Sequence, residues 1–222
     1  MKKIKLGLLG TGRMGKGIID SLTPDSPFIV QATASRGDLK GLFENTDVIV
    51  DFSQPQGTQA LLDLVINLKK PLVIGTTGLS EHQVHQIEKI SQNMAVVYAR
   101  NTSIGVTLMQ KLVTQLTASL SQNFGDDFDI ELSEIHHRHK VDAPSGTALM
   151  LAEAIANAKG VQLKEVAQYD RYGHVGPRLR GQIGFSVRRG GQYPGEHTVS
   201  FISDEESIEV THRSFSRQLF VK

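Results

Sequence analysis

GLLGTGRMGKG, residues 7–17, sets glycines at 10, 12 and 15 directly after the apolar run Ile4–Leu9. In the GxGxxG spacing each glycine has its own physical use. Gly10 permits a tight turn, Gly12 lets a pyrophosphate approach the backbone, and Gly15 lets a helix pack closely on a strand. The helix start then offers N–H groups to the phosphates. A plain glycine-rich turn is the alternative. The position between the first strand and the first helix favours a dinucleotide.

Outward from this turn, the first hundred residues alternate between two textures. Short β-rich runs lie at Ile4–Leu9, Phe28–Ala34, Val48–Phe52, Leu72–Ile74 and Ala95–Tyr98. Helical spacing occupies Met14–Leu22, Thr58–Leu68 and Glu81–Ser91. The last helix opens SEHQ, where Ser80 caps it and Gln83 reaches back to the cap's backbone. Strands and helices in alternation predict an α/β fold, a parallel sheet with helices on both faces. RGDLKGLFENTD, residues 36–47, leaves little room for a helix before the third strand. After Asn101 the pattern changes. An amphipathic run, Gly105–Leu120, precedes a strand at Phe128–His136, a helix at Ser145–Ala158 and strands at Gln182–Arg188, His197–Ile202 and Ser207–His212. This predicts an α+β second domain. Asp170–Gly181 is expected to be a mobile loop, and residues 189–196 a turn between strands.

The 222 residues, 39% apolar and 21% charged, suffice for one large domain or two small ones. A net charge of +1 with scattered basic residues argues against nucleic acid as the main partner. The lack of cysteine excludes disulfides, thiolate metal sites and a cysteine nucleophile. Glycines interrupt the apolar run of MKKIKLGLLGTG, so it does not read as a signal peptide. No stretch approaches the roughly 20 apolar residues of a membrane span. A cytoplasmic chain is expected.

EIHHRHKVDAPSGTAL, residues 134–149, crowds three histidines, an arginine and a lysine into five positions. Like charges side by side repel, so the cluster calls for a partner. Pro144 falls where a first-turn proline is tolerated, and Ser145, Gly146 and Thr147 offer unpaired N–H groups at a helix start. With Arg138 and Lys140 these make an anion site, and one reading is a carboxylate-binding loop with a histidine as proton donor. A metal site is a second, opposed by the missing cysteines and by histidines that are contiguous rather than at i, i+4 spacing. A nucleic-acid patch is a third, opposed by Asp142 and the lack of aromatics. A solvated charged turn is the fourth.

Three further stretches bear on a cofactor. In QATASRGD, residues 31–38, Ser35 and Arg36 stand where a NAD-preferring site carries an acid for the ribose 2′-OH. Arg36 is suited to a 2′-phosphate and Asp38 is the competing candidate, so the reading leans to NADPH. GTTG (75–78) and ARNTS (99–103) end strands on the same sheet edge, as cofactor contacts or as plain turns.

The signature EIHHRHKVDAPSGTA closely resembles that of the 4-hydroxy-tetrahydrodipicolinate (dihydrodipicolinate) reductase family. GRMG at 12–15, VDFS at 50–53, GTTG at 75–78, NTSIGV at 101–106, RGG at 189–191, GEHTV at 195–199 and THR at 211–213 resemble its landmarks in order. The resemblance implies NAD(P)H-dependent reduction of a small cyclic dicarboxylate in the diaminopimelate route to lysine, by a homotetramer using NADPH or NADH. It implies a Rossmann-like dinucleotide-binding domain over 1–103 and a mixed-sheet substrate-binding and tetramerisation domain over 104–216. Residues 217–222 would begin a truncated return to the first domain, since relatives continue beyond SFSRQLFVK. His136 resembles the general acid/base and Lys140 a second proton donor, with His137, Gly146 and Thr147 gripping the dicarboxylate. Gly10, Thr11, Gly12, Arg13, Met14, Gly75, Thr76, Thr77, Arg100, Asn101, Thr102 and Ser103 resemble the cofactor contacts. No metal is implied. Ser35 stands where many relatives carry an acid, which weakens the case for NADH, and the glycine loop is shorter than usual. A dehydrogenase of the amino-acid type sharing the nucleotide domain, and a nucleotide-binding protein without turnover, are the rival readings.

Overall fold

In a computed structural model, which describes residues 2–35 and 39–221, the chain divides into two units. One runs up to Thr102 and takes in the segment from Arg217 onward; the other is Ser103–Ser216.

The first unit is a five-stranded parallel sheet of order β2-β1-β3-β4-β5. Its strands are β1 (Ile4–Leu9), β2 (Phe28–Ala34), β3 (Val48–Asp51), β4 (Leu72–Ile74) and β5 (Val96–Tyr98), with helices α1 (Arg13–Ser21), α2 (Pro55–Leu68) and α3 (Glu81–Ser91) between them. Strand order reverses at β1: the chain steps one way to β2, then the other way through β3, β4 and β5. Right-handed crossovers therefore set α1 on one face and α2 and α3 on the other. The expected capping box of α3 forms, Ser80 accepting from the Gln83 N–H and Gln83 accepting from the Ser80 N–H. α2 starts three residues before the predicted Thr58, because Pro55 fits the first turn although the apolar spacing begins later. Between β2 and β3 only one 3-10 turn, Lys40–Leu42, forms among the described residues, yet Leu39, Leu42 and Phe43 are buried in the core.

The second unit is a mixed sheet of order β10-β9-β6-β8-β7. It comprises α4 (Ile104–Phe124), β6 (Asp129–His136), α5 (Gly146–Ala158), α6 (Leu163–Val166), β7 (Ala167–Gln168), β8 (Ile183–Arg189), β9 (Glu196–Ile202) and β10 (Ser207–Arg213). β6 runs parallel to β8 and antiparallel to β9. The short α6 and β7 carry no periodic signal and were not expected. α4 and α5 pack on one sheet face through Met109, Val113, Leu151 and Ile155 against Ile130, Leu132, Val199 and Phe201. Burying each such side chain stabilises by roughly 1.5–3 kcal/mol. The segment 170–181, expected to be mobile, forms no helix or strand but is fastened by its arginines. Arg171 pairs with Glu131, Arg178 with Asp129 and Glu131, and Arg180 with Asp127. Acids along β6 and its approach account for the fastening.

Candidate active site

The glycine turn sits where the strand order reverses, the crevice in which open parallel sheets take ligands. Gly10 has φ +96°, and a Cβ there would lie 2.5 Å from the Phe52 carbonyl oxygen. A Cβ on Gly15 would lie 1.9 Å from the Gly10 oxygen, whereas one on Gly12 would meet nothing within 4 Å. Two glycines thus allow close packing, and the third leaves open space at the start of α1. Gly12 is the N-cap of α1 and provides no side-chain cap for the first N–H groups of the helix. A cleft of about 720 Å³ opens there, lined by Gly10, Thr11, Gly12, Ser35, Phe52 and Ser53 among others. The cradle fits a dinucleotide's phosphates. Its far wall is fixed by buried Asp51, which accepts from the Ser53 N–H at 2.9 Å and from the Thr58 hydroxyl at 2.5 Å.

The remaining cofactor candidates are placed differently from one another. Arg13 and Thr77 are exposed and Met14 is half-buried. Gly75 is needed for packing, since a Cβ there would fall 2.2 Å from the Phe52 ring. Thr76 is buried and accepts from the Ser53 N–H. Arg100 is exposed and Asn101 half-buried. The Thr102 hydroxyl donates to the Phe220 carbonyl. Ser103 belongs to the second unit, where its Oγ caps α4 by accepting from the Val106 N–H. Arg36 and Asp38 lie outside the described residues.

In the second unit, alternation along β6 builds the site. Ile130, Leu132, Glu134 and His136 share the face covered by the helices, because side chains two apart point the same way. On antiparallel β9, Phe201 stands opposite Ile130, Val199 opposite Leu132, and His197 opposite Glu134. On β8, Arg189 stands beside His136. Two apolar levels therefore give way to a charged level at the carboxyl end of β6, next to the N-terminus of α5. Ser145 caps α5, its Oγ accepting from the Ala148 N–H. Gly146 and Thr147 open the first turn of α5, at the positive end of the helix dipole. With the cap at Ser145, Pro144 lies outside the helix rather than in its first turn, and the Ala143–Pro144 peptide is cis. The Ser145 N–H is not unpaired either: it donates to Glu134 Oε1 at 3.1 Å.

Glu134 is the hub of this level. Its Oε1 also accepts from Arg189 at 3.0 Å, and its Oε2 lies 3.4 Å from both His136 Nδ1 and His197 Nε2. Burial alone would push its carboxyl up; the facing donors of His197, Ser145 and Arg189, with the His136 field, overcome this and lower it to about 2. His136, 8% exposed, moves down to about 4. Burial is the main cause; Glu134 opposes it, and the positive fields of His197, Lys140 and Arg189 reinforce it. His136 is therefore neutral near pH 7. Lys140, in the turn after β6, holds both oxygens of Asp142 at 2.8 Å. The turn is braced by Arg138 N–H to the Gly191 carbonyl and Gly190 N–H to the His136 carbonyl, so the RGG stretch shapes the histidine loop.

Glu134, His197 and Arg189 were absent from the candidate residues read from sequence. A signal existed: in DIELSEIH, Glu134 falls on the inward face set by Ile130 and Leu132. That His197 stands opposite it required the strand pairing. Residues 136–139, taken alone, spoke against a metal. The structure instead gathers ligand atoms of Glu134, His136 and His197 within 4.8 Å of one another. Arg189 already sets a positive charge on that carboxylate, which opposes a second cation.

A parallel sheet with an open glycine turn at its switch point is the construction of dinucleotide-binding domains, and the mixed sheet that follows carries a buried carboxylate–histidine cluster at a helix N-terminus. Known proteins narrow this class. The profile of "Dihydrodipicolinate reductase, N-terminus" matches residues 4–102, and that of "Dihydrodipicolinate reductase, C-terminus" matches 105–222. The chain belongs to the dihydrodipicolinate reductase family. It is 43% identical to the 4-hydroxy-tetrahydrodipicolinate reductase of Aliarcobacter butzleri over 99% of this chain and 90% of that one. It is 42% identical to that of Campylobacter jejuni, over 99% and 89%. Among solved structures, dipicolinate-bound dihydrodipicolinate reductase from Paenisporosarcina sp. TG-14 superposes with a TM-score of 0.71 at 22% identity, covering 99% of this chain and 91% of that one. Among the described residues, no helix is long and apolar enough to cross a membrane.

Proposed function

We propose that the chain reduces 4-hydroxy-tetrahydrodipicolinate to tetrahydrodipicolinate with NAD(P)H, the reduction step of the diaminopimelate route to lysine. The observation that carries this is His136 at the end of β6, with Lys140 in the following turn and the N–H groups of Gly146 and Thr147 at the start of α5. A helix N-terminus with nearby cations suits a carboxylate, and His137 fits as a further grip on a dicarboxylate. When bound, the nicotinamide supplies a hydride.

Replacing a ring hydroxyl by hydrogen requires loss of water, then addition of hydride and a proton. Neutral His136 takes a proton from the carbon beside the C–OH, while Lys140 protonates the departing hydroxyl. After hydride reaches the carbon that lost oxygen, His136 returns its proton to the neighbouring carbon, and Lys140 is recharged from solvent. The net consumption is one hydride and one proton per water released. The cofactor contacts in this reading are the glycine turn, Gly75–Thr77 and Arg100–Ser103, with NADPH preferred through Arg36.

A homotetramer, which light scattering would test, and residence in the cytoplasm belong to the same reading. The deciding experiment mixes the protein, NADPH and the condensation product of aspartate semialdehyde and pyruvate. Nicotinamide absorbance should fall with turnover, and pyridine-2,6-dicarboxylate should compete with the substrate. No loss of absorbance, or inhibition indifferent to substrate concentration, would count against the assignment.

A further inference from the structure

We infer that Glu134 is a positioning residue that fixes the tautomer of His136, holding its proton on Nδ1 so that Nε2 is the nitrogen that reacts. The inference rests on the proposed role of His136 and goes beyond it. A carboxylate is an acceptor with about four lone-pair sites. Around Glu134 four donors are arranged for them: the Ser145 N–H and Arg189 on Oε1, and the facing nitrogens of His136 and His197 on Oε2.

Glu134 Oε2 and His136 Nδ1 are both sealed from solvent, and among the described residues neither has a hydrogen-bond partner. They face each other at 3.4 Å. Buried polar atoms are rarely left without partners, and a small ring rotation closes this pair into a hydrogen bond. The alternative tautomer would set two lone pairs against each other. His197 follows the same logic. Its Nδ1 is buried without a partner while its Nε2 lies 3.0 Å from Ser145 Oγ and 3.4 Å from Glu134, so its proton belongs on Nε2.

With Nδ1 committed, the open edge of the His136 ring is Nε2. Gly195 faces that edge: a Cβ there would lie 2.9 Å from Nε2, and the missing methyl leaves the approach clear. Neutral imidazole with Nδ1–H presents a bare, basic Nε2, the form required for the first proton abstraction. Glu134 touches no substrate in this arrangement. It acts through the ring.

Nitrogen NMR of histidine-labelled whole protein near pH 7 tests the assignment without substrate. Wild-type His136 should show a pyrrole-type Nδ1 and a pyridine-type Nε2. In Glu134→Gln the side-chain amide should donate to Nδ1 and move the proton to Nε2, with kcat falling by about 10²-fold and KM changing little. A wild-type His136 that carries its proton on Nε2 overturns the inference, even if the variant misfolds. A folded Glu134→Gln that keeps the wild-type tautomer, or turns over within about threefold of wild type, also overturns it. Because the tautomer is read without turnover, an inactive wild type with Nδ1–H would sink the reductase assignment and leave the role of Glu134 standing.

Discussion

At the scale of single residues, two glycines beside the candidate site give opposite tests. Gly195, at φ +148°, faces the His136 ring, and a methyl there would sit 2.9 Å from its Nε2. Gly195→Ala should push the ring away from its working position and lower kcat by at least about tenfold, which steady-state kinetics on folded protein would show. Gly146 is the contrasting case. A Cβ there meets nothing within 4 Å, so Gly146→Ala should fold normally. If a substrate carboxylate rests on that helix start, the methyl should raise KM while kcat holds. An unchanged KM would place the carboxylate elsewhere. Arg36 is a third test, made on charge alone. A charge-assisted hydrogen bond is worth roughly 1.5–3 kcal/mol, and added salt weakens it. Arg36→Ala should weaken NADPH by about tenfold or less and spare NADH, and equal losses for both cofactors would remove Arg36 from the site.

The glycine turn shows how an element is seated. α1 lies on β1 so closely that a Cβ on Gly15 would reach within 1.9 Å of the Gly10 oxygen. Gly15→Ala must lift the helix, an overpacking that typically costs about 1–3 kcal/mol. The thermal midpoint of the first unit should drop and cofactor affinity with it. Gly12→Ala has room, so its midpoint should hold, and if the cofactor's phosphates rest there the methyl should raise the cofactor's KM alone. Identical behaviour of the two variants would mean the cleft beside Gly12 is not the phosphate cradle. In the second unit the comparable element is α5, whose entry is tied to the sheet by the Ser145 N–H bond to Glu134. One acid thereby positions a helix start and two imidazoles together.

That cluster makes the stability of the second unit depend on acid. Folded His136 refuses a proton until about pH 4, whereas the unfolded imidazole takes one near 6.5. Its contribution is therefore full above pH 6.5 and is lost as pH falls toward 4. Glu134, depressed from 4.5 to about 2, continues the loss from pH 4.5 downward. Every tenfold change in proton affinity between the folded and unfolded chain corresponds to about 1.4 kcal/mol. The two groups interact, so their effects overlap rather than add. Calorimetry from pH 7 to pH 3 should show the second unit's midpoint falling throughout. Glu134→Gln should flatten the lower half of that slope. A midpoint level between pH 7 and pH 4 would mean that His136 titrates normally in the folded chain.

Local rules alone account for much of this molecule. Alternating β-rich and helical runs carried the parallel sheet, since strand and helix periods are written in neighbouring residues. The spacing of Gly10, Gly12 and Gly15 carried the turn, and Ser80 with Gln83 carried a helix start that forms as read. The crowding of residues 136–140, and the family signature around it, carried the reductase reading. Tertiary structure decided what depends on pairing between distant strands. His197 meets Glu134 only because β9 lies antiparallel to β6 in one particular register. Arg189 joins them because β8 runs parallel on the other side. The Ser145 N–H, unpaired by any helix rule, is taken by an acid eleven residues earlier. Period-two alternation could place Glu134 on the inward face; which cations would meet it there was settled by sheet order, because contacts across strands are set by register and burial rather than by sequence neighbours.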